Sequence, residues 1–251
     1  MRVWRKTAIV QRGGSERLRV SLAAAAHGFE LKGKHLIHVP VGDLESALSD
    51  EPDAIVVGSI GFVRRGLAIR GVDVPVFEDY PPSLTAFLGR ELRLTTLGEA
   101  LDRTDGPWFV KPAEFTKLFN GFVADSVRST FEASGLPPET RVWISSVVRF
   151  VSEWRCYVVE REIVKAGHYR GDPLVFPNAA RVRSMLAAMV AAGEAPVSFV
   201  IDAGVTDRGE TLLVEANDGY AVGNYALAPI EYAHLLETRW DEMVAPSQAI
   251  S

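Results

Sequence analysis

The sequence is poor in the features that mark several classes of protein. Its 251 residues include a single cysteine, which excludes a disulfide within the chain and predicts a reducing, cytoplasmic setting. No apolar run approaches the roughly 18 residues of a membrane span, so we expect no membrane partner. Basic residues are not in excess, since 27 Lys and Arg face 32 Asp and Glu, and this argues against a nucleic-acid partner.

Two common nucleotide-binding signatures are also missing. The phosphate-loop pattern GxxxxGK[ST] does not occur, and no GxGxxG follows the first predicted strand. What the chain does have is the composition of a globular protein, with 47% hydrophobic and 24% charged residues. Its length suits one large or two small domains. These bounds favour a protein that handles small molecules, without naming a reaction. We expect a monomer or homodimer.

The first 82 residues alternate short apolar runs with helical patterns. Strands are predicted at 7–11, 35–39, 54–58 and 74–77, and helices at 15–28, 43–48 and 60–69. Gly28 is expected to end the first of these helices, because glycine commonly follows the last helical turn. Strands separated by helices predict a small parallel α/β lobe.

From residue 83 onward the pattern becomes richer in adjacent strands. Helices are predicted at 84–94, 96–101, 127–133, 181–192 and 231–240, and strands at 108–112, 115–124, 142–148, 154–159, 163–169, 197–203 and 211–216. The last two strands are joined by Asp207–Glu210, a sequence typical of a hairpin turn. The fold class is therefore expected to be mixed, α/β at the start and α+β beyond.

The last predicted hairpin carries a group of oxygen-bearing side chains. Glu215 and Asn217 are two residues apart and point to the same face of a strand, and the hairpin brings Asp202 roughly opposite them. Two carboxylates and an amide oxygen suit Mg²⁺ or Mn²⁺. Solvated polar residues at strand ends remain the plainer alternative. The apolar residues that precede them on both strands favour a site, because an unpaired buried charge is costly.

Cationic residues interrupt or flank several apolar strands. They are Lys111, Lys117, Arg149, Arg155, Lys165 and Arg170. A lysine at a strand end is commonly a solvated edge residue, yet a polyphosphate would need several such donors. Together with oxygen ligands for Mg²⁺, the cations indicate a site for a nucleoside triphosphate.

The order of these motifs resembles the ATP-grasp superfamily. The resemblance rests on Lys111-Pro112, Lys117, the run Ile144–Val148, Ser152-Glu-Trp-Arg155, Asp202 and Glu215-x-Asn217. The last two motifs are similar to the metal-binding hairpin of D-alanine–D-alanine ligases and glutathione synthetases. The stretches Ser152–Arg155 and Glu215–Tyr225 resemble a small bacterial and phage clade marked by additional Arg and Lys.

The resemblance implies a fold and a set of roles. Two α+β lobes, 83–148 and 149–251, would hold ATP between them, after a pre-ATP-grasp lobe at 1–82. Lys111 and Lys117 would contact the α- and β-phosphates, and Arg155 and Arg170 the γ-phosphate. Adenine would be surrounded by Ser145, Ser146, Val147 and Val148, with Glu153 and Lys165 beside the nucleotide. Mg²⁺ would be bound by Asp202, Glu215 and Asn217.

The implied activity is ATP-dependent ligation of a carboxylate, activated as an acylphosphate, to an amine. The substrates would be small molecules or peptides. Two other hypotheses stay open at this point. One is a phosphotransferase of the same fold that acts on a small-molecule acceptor, and the other is a nucleotide-binding module with degenerate catalysis.

Overall fold

The structure, a computed structural model, describes residues 6–74, 76–113, 118–124 and 133–245. Within these residues the contacts divide the chain into two compact units, Leu88–Phe150 and the remainder. The domain boundaries suggested by the sequence, after residues 82 and 148, stay a prediction. None of the described helices combines the length and the hydropathy that crossing a lipid bilayer requires.

The first layer of the larger unit is a parallel three-stranded sheet. Its strands are β1 (Thr7–Gln11), β2 (His35–Val39) and β3 (Ile55–Val57), in the order β2-β1-β3. The connecting helices are α1 (Glu16–Leu31), α2 (Leu44–Asp50) and α3 (Ile60–Ile69). Ser15 and Ser59 accept a backbone hydrogen bond at the starts of α1 and α3, as capping residues do. The expected parallel α/β lobe is confirmed.

Helix α1 does not end at Gly28, and this corrects the prediction. The helix continues to Leu31 because Gly28 serves a close approach between helices. A Cβ atom at this position would lie 1.9 Å from the carbonyl oxygen of Pro229, the first residue of α6 (Pro229–Val244). Glycine is therefore used here for packing inside a helix, and its usual role as a helix terminator does not apply.

A four-stranded sheet dominates the unit Leu88–Phe150. Its strands are β4 (Leu92–Thr96), β5 (Trp108–Pro112), β6 (Phe122–Ala124) and β7 (Arg141–Ser146), in the order β4-β7-β5-β6 with antiparallel pairing. The short helix α4 (Leu97–Leu101) starts at a capping box of Thr96 and Glu99. One face of the sheet packs into a core that contains Val110, Val142 and Ile144.

Two predicted elements between residues 74 and 94 are wrong. Instead of a helix at 84–94, a 3₁₀ helix spans Pro82–Phe87, and β4 follows at Leu92–Thr96. Gly89, with φ of 59°, interrupts the helical pattern, and β4 gains the hydrogen bonds of an edge strand by pairing with β7. Residues 74, 76 and 77 form no strand. The helix predicted at 127–133 lies, except for its last residue, outside the described residues.

The second sheet of the larger unit has the order β11-β10-β8-β9, in which β10 and β11 are antiparallel, as are β8 and β9. Its strands are β8 (Phe150–Val159), β9 (Glu162–Gly171), β10 (Ser198–Thr206) and β11 (Thr211–Asp218), and α5 (Ala179–Ala191) lies between β9 and β10 in sequence. We refer to it as the C-terminal sheet. One end of its strands, at Tyr157, Val159 and Val200, belongs to the same hydrophobic core as the parallel sheet and α6.

Candidate functional site

One face of the C-terminal sheet collects residues that are distant in the sequence. Glu153 and Arg155 on β8 share a face because they are two residues apart. Asp202 on β10 lies directly opposite Glu215 on β11, and a bulge follows between Asp202 and Ala203. Asn217 is on the same face of β11 as Glu215. We call these five residues, together with Arg170 and Tyr169 of β9, the charged face.

Asp202 and Arg155 form a buried ion pair at the centre of the charged face. Arg155 Nε donates to Asp202 Oδ1 at 2.8 Å, and Nη2 donates to Oδ2 at 2.7 Å. The two side chains are only 11% and 2% exposed. Burial raises the pKa of the Asp202 carboxyl, and the facing guanidinium opposes that rise. Burial also lowers the pKa of Arg155, but the attraction of Asp202 outweighs it, so Arg155 stays charged.

Two tyrosine rings flank the Arg155 guanidinium. The centroids of Tyr225 and Tyr169 lie 5.2 and 5.8 Å from its central carbon. The rings stack on each other with centroids 5.5 Å apart and an interplanar angle of 26°. Contacts of this kind between a cation and aromatic faces are favourable, more so where water is excluded. They hold the guanidinium in one place beside Asp202.

Glu153 is the second buried carboxylate of the charged face. Its side chain is 8% exposed, whereas that of its partner Arg170 is 76% exposed. Glu153 accepts hydrogen bonds from Arg170 Nη1 at 3.0 Å and from the Tyr169 hydroxyl at 2.8 Å. Burial and the nearby carboxylates raise the pKa of Tyr169, so its hydroxyl remains a donor. Arg170 is thereby held at the exposed rim of the charged face.

Glu215 and Asn217 are half-buried and carry the side-chain oxygens that could bind a metal ion. Asn217 Nδ2 donates to Glu215 Oε1 at 3.0 Å, which leaves the amide oxygen of Asn217 directed elsewhere. Within the described residues, no three His, Cys, Asp or Glu side chains are grouped as ligands of one metal ion. Mg²⁺ commonly takes only one or two carboxylates from the protein and completes its shell with phosphates and water. Glu215 and Asn217 therefore fit this ion, whereas both oxygens of Asp202 are engaged by Arg155.

Lys165 lies on β9 but away from the ion pairs just described. It is opposite Tyr157 in the strand register, and its ammonium is 4.0 Å from Glu231 Oε2 in the first turn of α6. Both side chains are 46% exposed. The structure thus places the charge of Lys165 beside α6, and its predicted contact with a nucleotide stays a prediction.

The remaining predicted residues belong to the unit Leu88–Phe150. Lys111 of β5 is 9% exposed and alternates with the core residue Val110, so it lies on the opposite face of the sheet. Ser145 of β7 shares that face, because Trp143 pairs with Lys111 and Ser145 with Phe109. Ser146 points the other way, and its hydroxyl accepts from the Glu91 amide at 3.3 Å.

Val147 and Val148 follow the last residue of β7. Val147 is 46% exposed and Val148 is half-buried. Lys117 lies outside the described residues. The structure thus brings Lys111 and Ser145 to one sheet face, and does not bring Ser146 to it.

Sequence reasoning missed Tyr157 altogether. This fully buried residue follows Arg155 by two positions on β8 and therefore shares its face of the sheet. Its hydroxyl contacts the backbone of the loop that carries Tyr225. The period of two could have found it, because a tyrosine next to buried charges commonly has a partner for its hydroxyl.

Solved structures of similar fold are ligases and synthetases. The D-alanine–D-alanine ligase of Bacillus anthracis complexed with ATP is 16% identical, with 96% of this chain and 97% of that chain covered and a TM-score of 0.62. The D-cycloserine synthetase is 12% identical, with 93% and 99% covered and a TM-score of 0.57. The N5-carboxyaminoimidazole synthetase of Staphylococcus aureus is 10% identical, with 94% and 77% covered and a TM-score of 0.56. Identities this low show the fold alone.

Sequence comparison carries the assignment further. Among curated proteins, no sequence matches this chain. The family model described as the ATP-grasp domain, R2K clade family 2, matches residues 87–235, which is more than half of the chain. The match spans all of the C-terminal sheet and confirms the fold that the motif order implied. This chain therefore belongs to the ATP-grasp superfamily, in family 2 of its R2K clade.

Proposed function

We propose that this protein is an ATP-dependent ligase that joins a carboxylate to an amine. A carboxylate oxygen would attack the γ-phosphorus, and ADP would leave as the acylphosphate forms. The amine would then attack the carbonyl carbon, and phosphate would leave with the amide as product. Membership of the ATP-grasp superfamily supports this reaction, as does the fold shared with a D-alanine–D-alanine ligase and a D-cycloserine synthetase.

The observation that carries the proposal is the mixture of charges on one sheet face. Two arginines, Arg155 and Arg170, lie among Glu153, Asp202 and Glu215. Guanidinium groups suit a phosphoryl group in transfer, because the negative charge moves onto it during the reaction. Arg170 is the exposed one of the two and would meet the γ-phosphate or the acylphosphate first.

Mg²⁺ is the ion that these residues would hold. Glu215 and Asn217 would bind it, and Asp202 would join them after giving up one of its hydrogen bonds to Arg155. When bound, the ion neutralises charge on the β- and γ-phosphates. Release of an Arg155 N–H from Asp202 would leave that donor available to an anion.

The nucleotide-binding roles in Leu88–Phe150 complete the proposal. Lys111 would contact the α- and β-phosphates, and the backbone of Ser145–Val148 would contact adenine. The position of Lys111 supports this role, because it lies on the same sheet face as Ser145. We expect small-molecule or peptide substrates, action in the cytoplasm, and a monomer or homodimer.

A turnover assay tests the reaction. The protein would be incubated with MgATP and pools of amino acids and dipeptides, with released phosphate and new product masses measured. Phosphate release should require both a carboxylate and an amine. Glu215→Gln and Lys111→Met should each reduce it at least about 100-fold, the scale of losing one group that stabilises transferred charge.

Glu210→Gln provides the matched control. It makes the same charge change in the exposed turn between β10 and β11, and should retain full activity. If the end product is a phosphorylated acceptor, the reaction is phosphotransfer and the ligase proposal is wrong. Full activity in Glu215→Gln would contradict the proposed metal site.

A further inference from the structure

We infer that Tyr157 is a positioning residue, whose hydroxyl holds the loop Val222–Ala228 so that Tyr225 covers Arg155 on the charged face. The loop follows the 3₁₀ helix Gly219–Ala221, after β11, and leads into α6. Tyr157 itself has no direct place among the groups proposed to touch ATP or Mg²⁺. The inference rests on the proposed function only where it concerns nucleotide binding.

The Tyr157 hydroxyl makes two hydrogen bonds to the backbone of this loop. It donates to the Gly223 carbonyl at 2.9 Å and accepts from the Tyr225 amide at 2.7 Å. Burial raises the pKa of Tyr157 to about 12, so the hydroxyl is protonated and can donate at neutral pH. Both ends of one turn of the loop are thereby attached to a strand of the C-terminal sheet.

Other hydrogen bonds fix the residues on either side of Tyr225, among them one from the Asn224 amide to the Ser21 hydroxyl at 3.1 Å. The Tyr232 hydroxyl donates to the Val222 carbonyl at 2.5 Å. Asn224 Oδ1 accepts from the amides of Ala226 and Leu227 at 3.2 and 2.9 Å. These contacts would hold a compact loop in any case. The bond from the Tyr225 amide to Tyr157 anchors the backbone of Tyr225 itself, and the Tyr225 ring then stacks on Tyr169.

Small residues allow the loop to lie against the sheet. A Cβ atom at Gly167 of β9 would be 2.6 Å from the Cβ atom of Ala226. At Gly223 a Cβ atom would lie 3.6 Å from Arg155 Nη1, so the loop backbone approaches the guanidinium directly. The loop therefore forms one wall around Arg155, with the Tyr225 ring stacked on Tyr169 as the next part of that wall.

Through this loop, Tyr157 affects the environment of Arg155, although the two side chains are not hydrogen-bonded to each other. Arg155 remains 11% exposed because the loop and the two rings exclude water around it. Cation–aromatic and ionic contacts are stronger where water is excluded. Loss of the Tyr157 hydroxyl should loosen the loop and let Arg155 take several orientations, while the aromatic ring of residue 157 still fills the core.

Amide hydrogen exchange tests the loop without reference to any activity. In Tyr157→Phe, the amide at position 225 should exchange about 5-fold faster, as expected from the loss of one hydrogen bond. Tyr220→Phe is the control, because it removes a hydroxyl that accepts from Arg64 Nε and leaves the loop bonds in place. Unchanged exchange at position 225 in Tyr157→Phe would overturn the inference.

Nucleotide affinity then tests whether the loop serves Arg155. With Mg²⁺ present, Tyr157→Phe should bind the ATP analogue AMP-PNP about 5-fold more weakly, the scale of one hydrogen bond, and should bind ADP as the wild type does. Tyr225→Ala should show the same split without faster exchange at position 225, since its amide still meets the Tyr157 hydroxyl.

The outcomes separate this inference from the proposed function. A purely structural role for Tyr157 would weaken ADP and AMP-PNP equally, and that result would overturn the positioning role. The same holds if neither affinity changes in Tyr157→Phe or Tyr225→Ala. If the wild type binds neither nucleotide, the proposed function fails, and hydrogen exchange still decides whether Tyr157 holds the loop.

Discussion

The ion pairs Arg155–Asp202 and Arg93–Glu91, one from each four-stranded sheet region of this protein, differ sharply in their exposure to water. In the C-terminal sheet, carboxylates and guanidinium groups lie on a buried face and pair with one another, as Asp202 does with Arg155. In the sheet of Leu88–Phe150, the ion pair Arg93–Glu91 lies at the surface, with side chains 53% and 55% exposed. The first pair has lost most of its contact with water and depends on its own hydrogen bonds, whereas the second pair remains solvated.

This difference in exposure distinguishes charged residues that are held in a site from charged residues that are solvated at the surface. A buried charge is retained only if partners or a ligand stabilise it, because its transfer from water costs several kcal/mol. The charged face meets this requirement with bidentate and shared hydrogen bonds. Exposed pairs contribute little. The comparison therefore predicts a descending series of effects when individual charges are removed.

The largest effect is expected for Asp202→Asn. The substitution keeps the shape of the side chain but leaves the buried Arg155 guanidinium without its counter-charge. Breaking a buried pair by removing one partner costs about 3–5 kcal/mol. Urea unfolding followed by circular dichroism should show a loss of this size.

A double-mutant cycle with Arg155→Met sharpens this result. If the two residues act as a pair, the double variant should lose much less than the sum of the two single losses. Additive losses, or a loss in Asp202→Asn no larger than that of Glu91→Gln, would contradict the distinction between the two sheets.

The part of the charged face on β10 and β11 was predictable from the sequence because its signals are local. Period-two spacing placed Glu215 and Asn217 on one face, and the hairpin turn at Asp207–Glu210 placed Asp202 opposite Glu215. The hairpin, the closing helix and the parallel lobe were likewise marked by apolar runs and turn residues. These patterns need no knowledge of distant contacts.

The rest depends on contacts between distant parts of the chain. Arg155 and Asp202 are 47 residues apart, and no spacing rule says that an arginine on one strand will take both oxygens of a carboxylate on another. The strand β4 was mistaken for a helix because its hydrogen bonds come from β7. The helix α1 passes Gly28 because Pro229 approaches there. In each case tertiary structure overrides a local preference.

A smaller effect is expected at alkaline pH. Burial raises the pKa of Tyr157 to about 12, above the ordinary value of 10.0, and it also raises the pKa values of Tyr169, Tyr220 and Tyr232. Since these pKa values are raised in the folded state, the stability they contribute is fully present below pH 10 and is lost as the pH rises. Leu88–Phe150 contains no tyrosine, so this loss belongs to the larger unit.

Urea unfolding at pH 8, 10, 11 and 12 measures the alkaline loss. For Tyr157 alone it should amount to on the order of 2 kcal/mol between pH 10 and 12, from the linkage between pKa and stability. Tyr157→Phe should therefore decline less steeply than the wild type across this window. Parallel declines would show that the hydroxyl ionises as readily in the folded state as in the unfolded one.

The smallest effects are expected where an arginine is exposed, and they compare the two sheets directly. Arg93→Met removes one partner of a surface pair and should change stability by less than about 0.5 kcal/mol. Arg170→Met should cost slightly more, up to about 1 kcal/mol, because its partner Glu153 is only 8% exposed. Glu153 keeps the hydrogen bond from Tyr169, which limits the loss.

Repeating both measurements in 1 M salt should abolish the effect of Arg93→Met and retain part of that of Arg170→Met, since screening acts mainly on exposed charges. Equal losses in both variants at both salt concentrations would mean that Arg170 is a solvated surface residue, and its proposed role at the γ-phosphate would then need support from activity measurements alone.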